Sequence, residues 1–255
     1  MFGFNRKKRP VEFGPYPLEK LKRDSSIIAV EAATPAVTPA AMPIGPDAYL
    51  GAAINTHLDA FAALREPEPF SKVAPVPDDL VVRAGDIKGA GYFLDASQIG
   101  ICEIVDNIWL SDAKGMHSHA VAILVEYSDP IDTDNKAAEW VAGNEHLLAT
   151  FIAAEIATDI SGQISSMGFN SRVHWLGASD VDLDKVTVLA GLGLREGGNL
   201  VNPYVENRFA VAVVTTDYIL ATDLPLHGSV RNAKNLSYQL GLSGAVSGLE
   251  RWRRR

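Results

Sequence analysis

Residues 120–127 read Ala-Val-Ala-Ile-Leu-Val-Glu-Tyr, a continuous apolar run that predicts a buried strand. A second such run, Phe-Ala-Val-Ala-Val-Val-Thr-Thr at residues 209–216, is dense in β-branched side chains. Outward from these two runs, apolar spacing predicts further strands at 99–104 and 172–176, and helices at 47–64, 79–96 and 144–167. Residues 183–194 predict a short helix that runs into a Gly turn. Because helices and strands mix without strict alternation, the pattern predicts an α+β sandwich rather than a doubly wound sheet.

The composition is that of one sizeable folded unit with an acidic surface. The chain has 255 residues, of which 47% are hydrophobic, and a formal net charge of −8, which argues against general nucleic-acid binding. Cys102 is the only cysteine, so the sequence predicts no disulfide and no iron–sulfur cluster within the chain, and an inert buried thiol is expected. The sequence shows neither a secretion signal nor an uninterrupted apolar stretch of membrane-spanning length, so we expect a cytoplasmic protein.

The two ends of the sequence differ from its middle. The start combines a basic arm, in which a short helix is predicted near Leu18, with a Pro- and Ala-rich stretch from residue 31 that favours an extended strap. The end is apolar and finishes in arginines. The expected organisation is an arm and strap at 1–47, a core at 48–226 and a tail at 227–255. The arm and strap either wrap the core or a partner, or are frayed residues and a linker.

Five short stretches resemble known family motifs, and their order along the chain is more specific than any one of them. Ala90-Gly91-Tyr92-Phe93-Leu94-Asp95-Ala96-Ser97-Gln98-Ile99-Gly100-Ile101 is similar to a helix end followed by a "GADxVGI" strand, and residues 120–126 are similar to the central strand after it. Further along are counterparts of "IRxLGY" at 164–169, of "AGLG" at 188–193 and of "TDLPL" at 215–226. Over about residues 80–226, the chain thus resembles the corrinoid-binding domain of the reductive dehalogenases and of their epoxyqueuosine reductase relatives.

The resemblance implies a nitroreductase-like α+β domain that holds cobalamin in a deep pocket. The cofactor-binding residues that it implies are Ala190, Gly191, Leu192, Gly193 and Asn199. Glycines in such a motif let backbone approach a ligand closely, because they have no side chain to collide with it. The alternative interpretation of the same motif is a tight packing joint between a helix and a turn.

The chain also departs from the family pattern. No cysteine follows the "TDLPL" counterpart, where the family carries two cluster motifs, so electrons would come from another protein. The tyrosine that serves the dehalogenases as proton donor has no counterpart near Thr150 and Phe151, and a threonine hydroxyl is too weak an acid to replace it. For the anion-stabilising charge, the candidates are Arg208 and, from a shifted position, Arg195.

Two further polar patterns were considered as sites. His117 and His119 alternate as a metal pair would on a strand, but no third ligand is evident, and no metal site is predicted. Asp180, Asp182 and Asp184 alternate without the glycine and glutamate of a calcium loop, which favours a solvated acidic loop. By the resemblance, Asp180 or Asp182 could instead correspond to the acid of the epoxyqueuosine reductases.

Three functional hypotheses follow from the resemblance and the departures. In the first, the chain is a subunit of a two-component, corrinoid-dependent enzyme that reductively cleaves a carbon–halogen or similar carbon–heteroatom bond, with a cysteine-rich, cluster-bearing homologue as partner. In the second, it is a non-catalytic subunit without cobalamin that pairs with such a homologue. In the third, it is a cobalamin carrier that acts alone or with a second copy of itself.

Overall fold

A four-stranded antiparallel sheet is the centre of the fold. The computed structural model describes residues 10–38, 48–110, 117–127, 134 and 141–228. The strands stand in the order β1-β2-β6-β3, and a separate hairpin joins β4 to β5. Their bounds are β1 Gln98–Glu103, β2 His119–Glu126, β3 Ser171–Trp175, β4 Leu194–Glu196, β5 Asn199–Val201 and β6 Phe209–Thr216. The two apolar runs of the sequence are thus the two central strands, and the predicted α+β sandwich is confirmed.

Within the described residues, five α-helices surround the sheet: α1 Ser26–Ala33, α2 Ala48–Phe61, α3 Leu80–Phe93, α4 Glu145–Ser166 and α5 Leu183–Leu189. Helix α3 begins at Asp79, whose side chain accepts a hydrogen bond from the Val81 amide at 2.8 Å and so caps the helix. Gly91 brings α3 close to β1, because a Cβ there would lie 2.2 Å from the Ile99 Cδ1 atom.

Helix α4 packs along one face of the sheet and carries most of the core. Alternate strand residues, among them Ile101, Ile123 and Val214, meet its buried side chains, and α2 and α3 complete this cluster. By length and apolar composition α4 could cross a membrane. Its apolar side chains are instead those of a core helix, since Ile156, Ile160 and others are buried against the sheet.

The opposite face of the sheet is covered by α5 and by the N-terminal arm. Tyr16, Leu18 and Leu21 are buried in the same cluster as Val213 and Leu189. The arm therefore packs on the chain's own core, and before α1 it forms only short 3₁₀ turns, at Val11–Phe13 and Leu18–Lys20. The division at residue 47 stays a prediction, but arm and core share one hydrophobic cluster. Residues 1–9 and 39–47 of the predicted arm and strap lie outside the described residues.

Helix α1 was not predicted, and part of the expected extended strap is wrong, because residues 31–33 belong to this helix. Its burial explains the error: Val30 is 61% exposed, whereas Glu31 is only 4% exposed. A helix that buries a glutamate and exposes a valine gives no amphipathic apolar signal. Of the strap, only residues 35–38 are described as irregular backbone beyond the helix end.

The described chain ends beside the arm. The Leu226 backbone forms a bridge with Arg23, and the His227 amide donates to the Lys22 carbonyl at 2.9 Å. The His227 imidazole also lies 3.0 Å from Asp24, a hydrogen bond that helps to lower the pKa of that carboxyl to about 2, second to its hydrogen bond from the Ser26 hydroxyl. The predicted tail beyond Gly228 lies outside the described residues.

Candidate functional site

A cleft of about 790 Å³ lies between the arm, helix α3 and the loop at 221–223. This volume is in the range of ligand-binding pockets. Its apolar lining includes Val11, Phe13, Ala84, Tyr92, Ile99, Ala190 and Leu192. The Tyr92 hydroxyl accepts a hydrogen bond from the Ile99 amide at 3.1 Å, which fixes the ring on the cleft floor.

The charged groups of the cleft are two cations and four carboxylates. Both cations have partners within the chain. Lys88 forms an ion pair with Asp223 at 2.8 Å, and the Arg23 guanidinium donates hydrogen bonds to backbone carbonyls. Asp223 also accepts from the Ile101 amide at 2.8 Å, so this pair ties α3 to β1. The other carboxylates that line the cleft are Glu12, Glu19 and Asp86.

The "AGLG" counterpart is closed by the chain's own arm. The Arg23 Nη1 atom donates to the carbonyls of Gly191, at 2.9 Å, and Leu224, at 2.7 Å, while Nη2 donates to the Leu18 carbonyl at 2.9 Å. Gly191 has a φ of +67°, and a Cβ on it would lie 1.9 Å from Arg23 Nη1 and 2.3 Å from the Leu224 carbonyl oxygen. Glycine is therefore needed here for the approach of Arg23 and Leu224.

The other positions of this motif are also used for internal packing. The Ala190 carbonyl lies under Gly100, where a Cβ would come within 2.1 Å of its oxygen. The Leu192 carbonyl accepts from the Asn202 side chain at 2.6 Å, and Gly193 packs on the Leu200 side chain. The sequence left two interpretations of this motif open, and these contacts are those of the packing joint.

Arg195 and Arg208, the two predicted anion-stabilising residues, have different neighbours. Arg195, in β4, binds Glu31 through Nε at 2.9 Å and Nη2 at 3.3 Å, and this hydrogen-bonded pairing raises the pKa of Arg195. Arg208 precedes β6, and its carbonyl accepts from the Tyr127 amide at 3.1 Å. Burial raises the pKa of Tyr127, and the charge of Arg208 partly opposes that rise.

At the positions where the resemblance implies corrinoid binding, the motif at residues 190–193 makes contacts within the chain. Of the five implied cofactor-binding residues, Ala190 and Leu192 line the cleft, whereas Gly191, Gly193 and Asn199 do not. Asn199 is exposed at the start of β5. The Gly191 and Leu192 carbonyls already bind Arg23 and Asn202.

Solved structures of reductive dehalogenases are similar to this chain in both sequence and fold. The catabolic reductive dehalogenase NpRdhA in complex with 3-bromo-4-hydroxybenzoic acid matches 96% of this chain and 34% of its own, with 33% sequence identity and a TM-score of 0.79. A structure described as suggesting a mechanism for B12-dependent dehalogenation matches 87% of this chain and 31% of its own, with 34% identity and a TM-score of 0.76. Over the part of them that it covers, the chain is similar in fold to these reductive dehalogenases.

This chain spans about a third of the length of those dehalogenases. An epoxyqueuosine reductase bound to a tRNA stem loop is a more distant match, with 10% identity and a TM-score of 0.44 over 63% of this chain. No protein-family model and no curated protein matches the sequence. The likeness predicted from the five ordered stretches is thus confirmed for the reductive dehalogenases.

At the place where the resemblance implies a proton donor, this dehalogenase fold holds core residues. The Thr150 side chain is fully buried and donates to the His146 carbonyl at 2.9 Å. Phe151 stacks on Phe61 with ring centroids 5.5 Å apart. Neither side chain is an acid that could protonate carbon.

The aspartates and histidines of the sequence analysis have structural partners. Asp180 forms ion pairs with Arg65, at 2.9 Å, and Arg172, at 3.3 Å. Asp182 caps α5 by accepting from the Lys185 amide at 2.9 Å, and it also accepts from the Val37 amide. His117 binds the Thr215 hydroxyl at 2.8 Å, and His119 binds Ser118. Over the described residues, no group of three His, Cys, Asp or Glu could hold a metal ion.

Sequence reasoning missed three polar residues of the arm-covered face. Arg23 was given no role beyond its place in the predicted arm. Lys185 is fully buried, and its ammonium group donates to the carbonyls of Thr34 and Asn107. His174 is also fully buried and binds the Thr215 hydroxyl at 3.0 Å. For Lys185 and His174, the sequence signal of burial was a polar residue among the apolar residues of a predicted helix or strand. Cys102, by contrast, is buried as expected, and burial raises its pKa.

Proposed function

We propose that this chain is one unit of a corrinoid-dependent reductive dehalogenase system in which catalysis at cobalt is completed by a second unit. The single observation that carries the proposal is the 33% identity and TM-score of 0.79 with a reductive dehalogenase over 96% of this chain. The reaction is reductive cleavage of a carbon–halogen or similar carbon–heteroatom bond. Bound cobalamin supplies the nucleophilic, redox-active cobalt for such chemistry.

The second unit brings what the described residues of this one do not offer. It carries the reducing centre, for which iron–sulfur clusters held by cysteine thiolates are the expected form. It also provides the proton donor, because Thr150 and Phe151 occupy that place here. We expect it to be a cysteine-rich homologue of this chain.

Among the possible contributions of this unit, the closed motif favours non-catalytic pairing. The Arg23 guanidinium fills the space beside Gly191, and Glu31 pairs with Arg195. Neither Gly191 nor Arg195 is therefore presented to a substrate. In this role the chain stabilises its catalytic partner and binds no cobalamin itself. The second candidate is a cobalamin-binding unit, which the 790 Å³ cleft beside Ala190 and Leu192 favours. Cobalamin binding at the motif itself requires Arg23 to leave Gly191.

Equilibrium dialysis of the purified full chain against cobalamin, followed by visible absorption spectra, separates the two candidates. We expect no retained corrinoid for the native chain as a pairing unit, and recovery of a second, cysteine-rich chain when the two homologues are co-expressed. Near one corrinoid per native chain would overturn the pairing role and support the cobalamin-binding one. An Arg23→Gln variant, with Lys22→Gln as the control on the exposed neighbour, tests whether Arg23 is what keeps the motif closed.

A further inference from the structure

The lip of the cleft combines exposed apolar side chains with carboxylates. Val81 is 69% exposed, Val11 58% and Phe13 43%, and all three line the cleft. Exposed apolar residues gathered at one concave place indicate an interaction surface rather than ordinary scatter. The cleft is therefore suited to an apolar segment of polypeptide.

The net charge of the residues that line the cleft indicates the charge of the group that binds there. Glu12, Glu19, Asp86 and Asp223 oppose Arg23 and Lys88, which leaves a net charge of −2 among the lining residues (four acidic, two basic). Lys88 is neutralised by Asp223, and Arg23 is held on three carbonyls. No described residue forms an ion pair with Glu12 or Asp86. The occupant should thus carry positive charge beside apolar side chains.

One segment of this chain has that chemistry and starts close by. Residues 236–255 contain leucines, Tyr238 and Trp252, and they end with Arg251, Arg253, Arg254 and Arg255. The chain leaves the described fold at Gly228, just after His227 and Leu226 have paired with Lys22 and Arg23, and Arg23 lines the cleft. Eight extended residues span about 26 Å, at roughly 3.3 Å per residue, so residue 236 can reach the cleft.

We propose that the cleft between the arm and α3 is the docking site of the chain's own basic C-terminal segment, residues 236–255. The apolar side chains of the segment cover Val11, Phe13 and Val81, and its arginines face Glu12 and Asp86. This interaction does not depend on the pairing role, and because it uses the cleft beside Ala190 and Leu192, the docked segment and cobalamin would exclude each other there. It adds an intramolecular contact between the C-terminal segment and the arm.

The test is photo-crosslinking within the full chain. A benzoylphenylalanine placed at Val81 is irradiated, and the linked peptides are identified by mass spectrometry. The matched control is the same group at Leu148, an apolar residue of α4 that is 46% exposed and does not line the cleft. We expect links from position 81 to residues 236–255 at least fivefold more often than from position 148. Links only to residues 1–9, or no enrichment over position 148, would overturn the proposal.

Two further arms define the occupant. Mixing isotope-labelled with unlabelled chains separates intramolecular from intermolecular links, and a predominance of intermolecular links would replace this proposal with docking of a second copy. The Glu12→Lys/Asp86→Lys variant should lower the yield several-fold, whereas Glu155→Lys/Asp159→Lys, two exposed carboxylates on α4, should not. Equal yields from the two variants would overturn the charge-based assignment. Circular dichroism checks that each variant is folded.

Discussion

The face of the sheet that packs on α4 and the face that packs on the arm are closed by different forces. On the α4 face, residues such as Ile101, Ile123 and Ile160 belong to one large hydrophobic cluster. On the arm face an apolar cluster is joined by charged groups that bind backbone: Arg23 and Lys185 each bind carbonyls of distant segments. Apolar burial is non-directional, whereas hydrogen bonds are directional. We therefore expect the first face to depend on volume and the second on individual atoms.

The largest effect should come from a cavity in the α4 face. Ile160 is 1% exposed and lies in the core cluster, so Ile160→Ala should lower the free energy of unfolding by about 2–5 kcal/mol. Leu148→Ala on the same helix is the control, because Leu148 is 46% exposed, and its effect should stay within about 0.5 kcal/mol. Urea unfolding followed by circular dichroism measures both. Equal losses would mean that α4 buries a different side from the one described.

On the arm face, the second-largest effect should come from Gly191. Gly191→Ala places a methyl group against Arg23 and Leu224 and keeps a positive φ, so we expect a loss of about 2–4 kcal/mol. Gly197 also has a positive φ, of +58°, but a Cβ there meets nothing within 4 Å. Gly197→Ala should therefore cost only the backbone term, about 1 kcal/mol. If the two variants unfold at the same urea concentration, Arg23 does not hold the motif closed.

The same contrast explains what could be predicted from the sequence. Apolar runs and spacing located the two central strands and the core helices, because burial on the α4 face follows the period of each element. The arm face could not be predicted in this way. Glu31 is buried through its pairing with Arg195, which lies far along the chain, and Val30 beside it is exposed. The three carbonyl partners of Arg23 could not be predicted, because the sequence does not distinguish a solvent-exposed arginine from one that binds distant backbone carbonyls.

The candidate site was predictable only as far as its motif. The order of five stretches led to the reductive dehalogenase likeness, and the glycines of residues 190–193 were predicted as positions of close approach, either to a ligand or in a packing joint. What approaches them is a property of tertiary structure, and here it is the chain's own Arg23, Leu224 and Leu200. Glycine reveals that space is needed and does not reveal which group fills it.

A third prediction concerns His174 and the pH dependence of stability. Burial lowers the pKa of His174 well below 6.5, with Arg65, Arg172 and His117 contributing in the same direction. The geometry agrees, because Nδ1 accepts from the Asp180 amide at 3.2 Å, which leaves the single ring proton on Nε2 for Thr215. The Asp180 carboxylate, 3.8 Å away, is already shared by the two arginines.

The sign follows from which state binds the proton. Below pH 6.5 the unfolded chain protonates this histidine and the folded chain does not, so stability is retained above that pH and lost as the pH falls. The expected slope from His174 is about 1.4 kcal/mol per pH unit. Urea unfolding of the native chain and of His174→Gln between pH 7.5 and 5 measures it. The variant should be less stable at pH 7.5 but lose less on acidification, and parallel curves would show that His174 is protonated in the fold.

The smallest effect should be the coupling between Arg195 and Glu31, which fastens α1 to the hairpin. Arg195 is 31% exposed at its side chain and Glu31 only 5%, so solvent screens the pair in part. A double-mutant cycle with Arg195→Gln and Glu31→Gln should give a coupling of about 1 kcal/mol that weakens in 1 M salt. The matched pair, Arg172 and Glu66, has a glutamate that is 59% exposed and should give about 0–0.5 kcal/mol. If Arg172 and Glu66 couple as strongly as Arg195 and Glu31, the charged contacts on the arm face contribute no more to stability than ion pairs on the surface. The distinction between the two faces then rests on Gly191 and His174 alone.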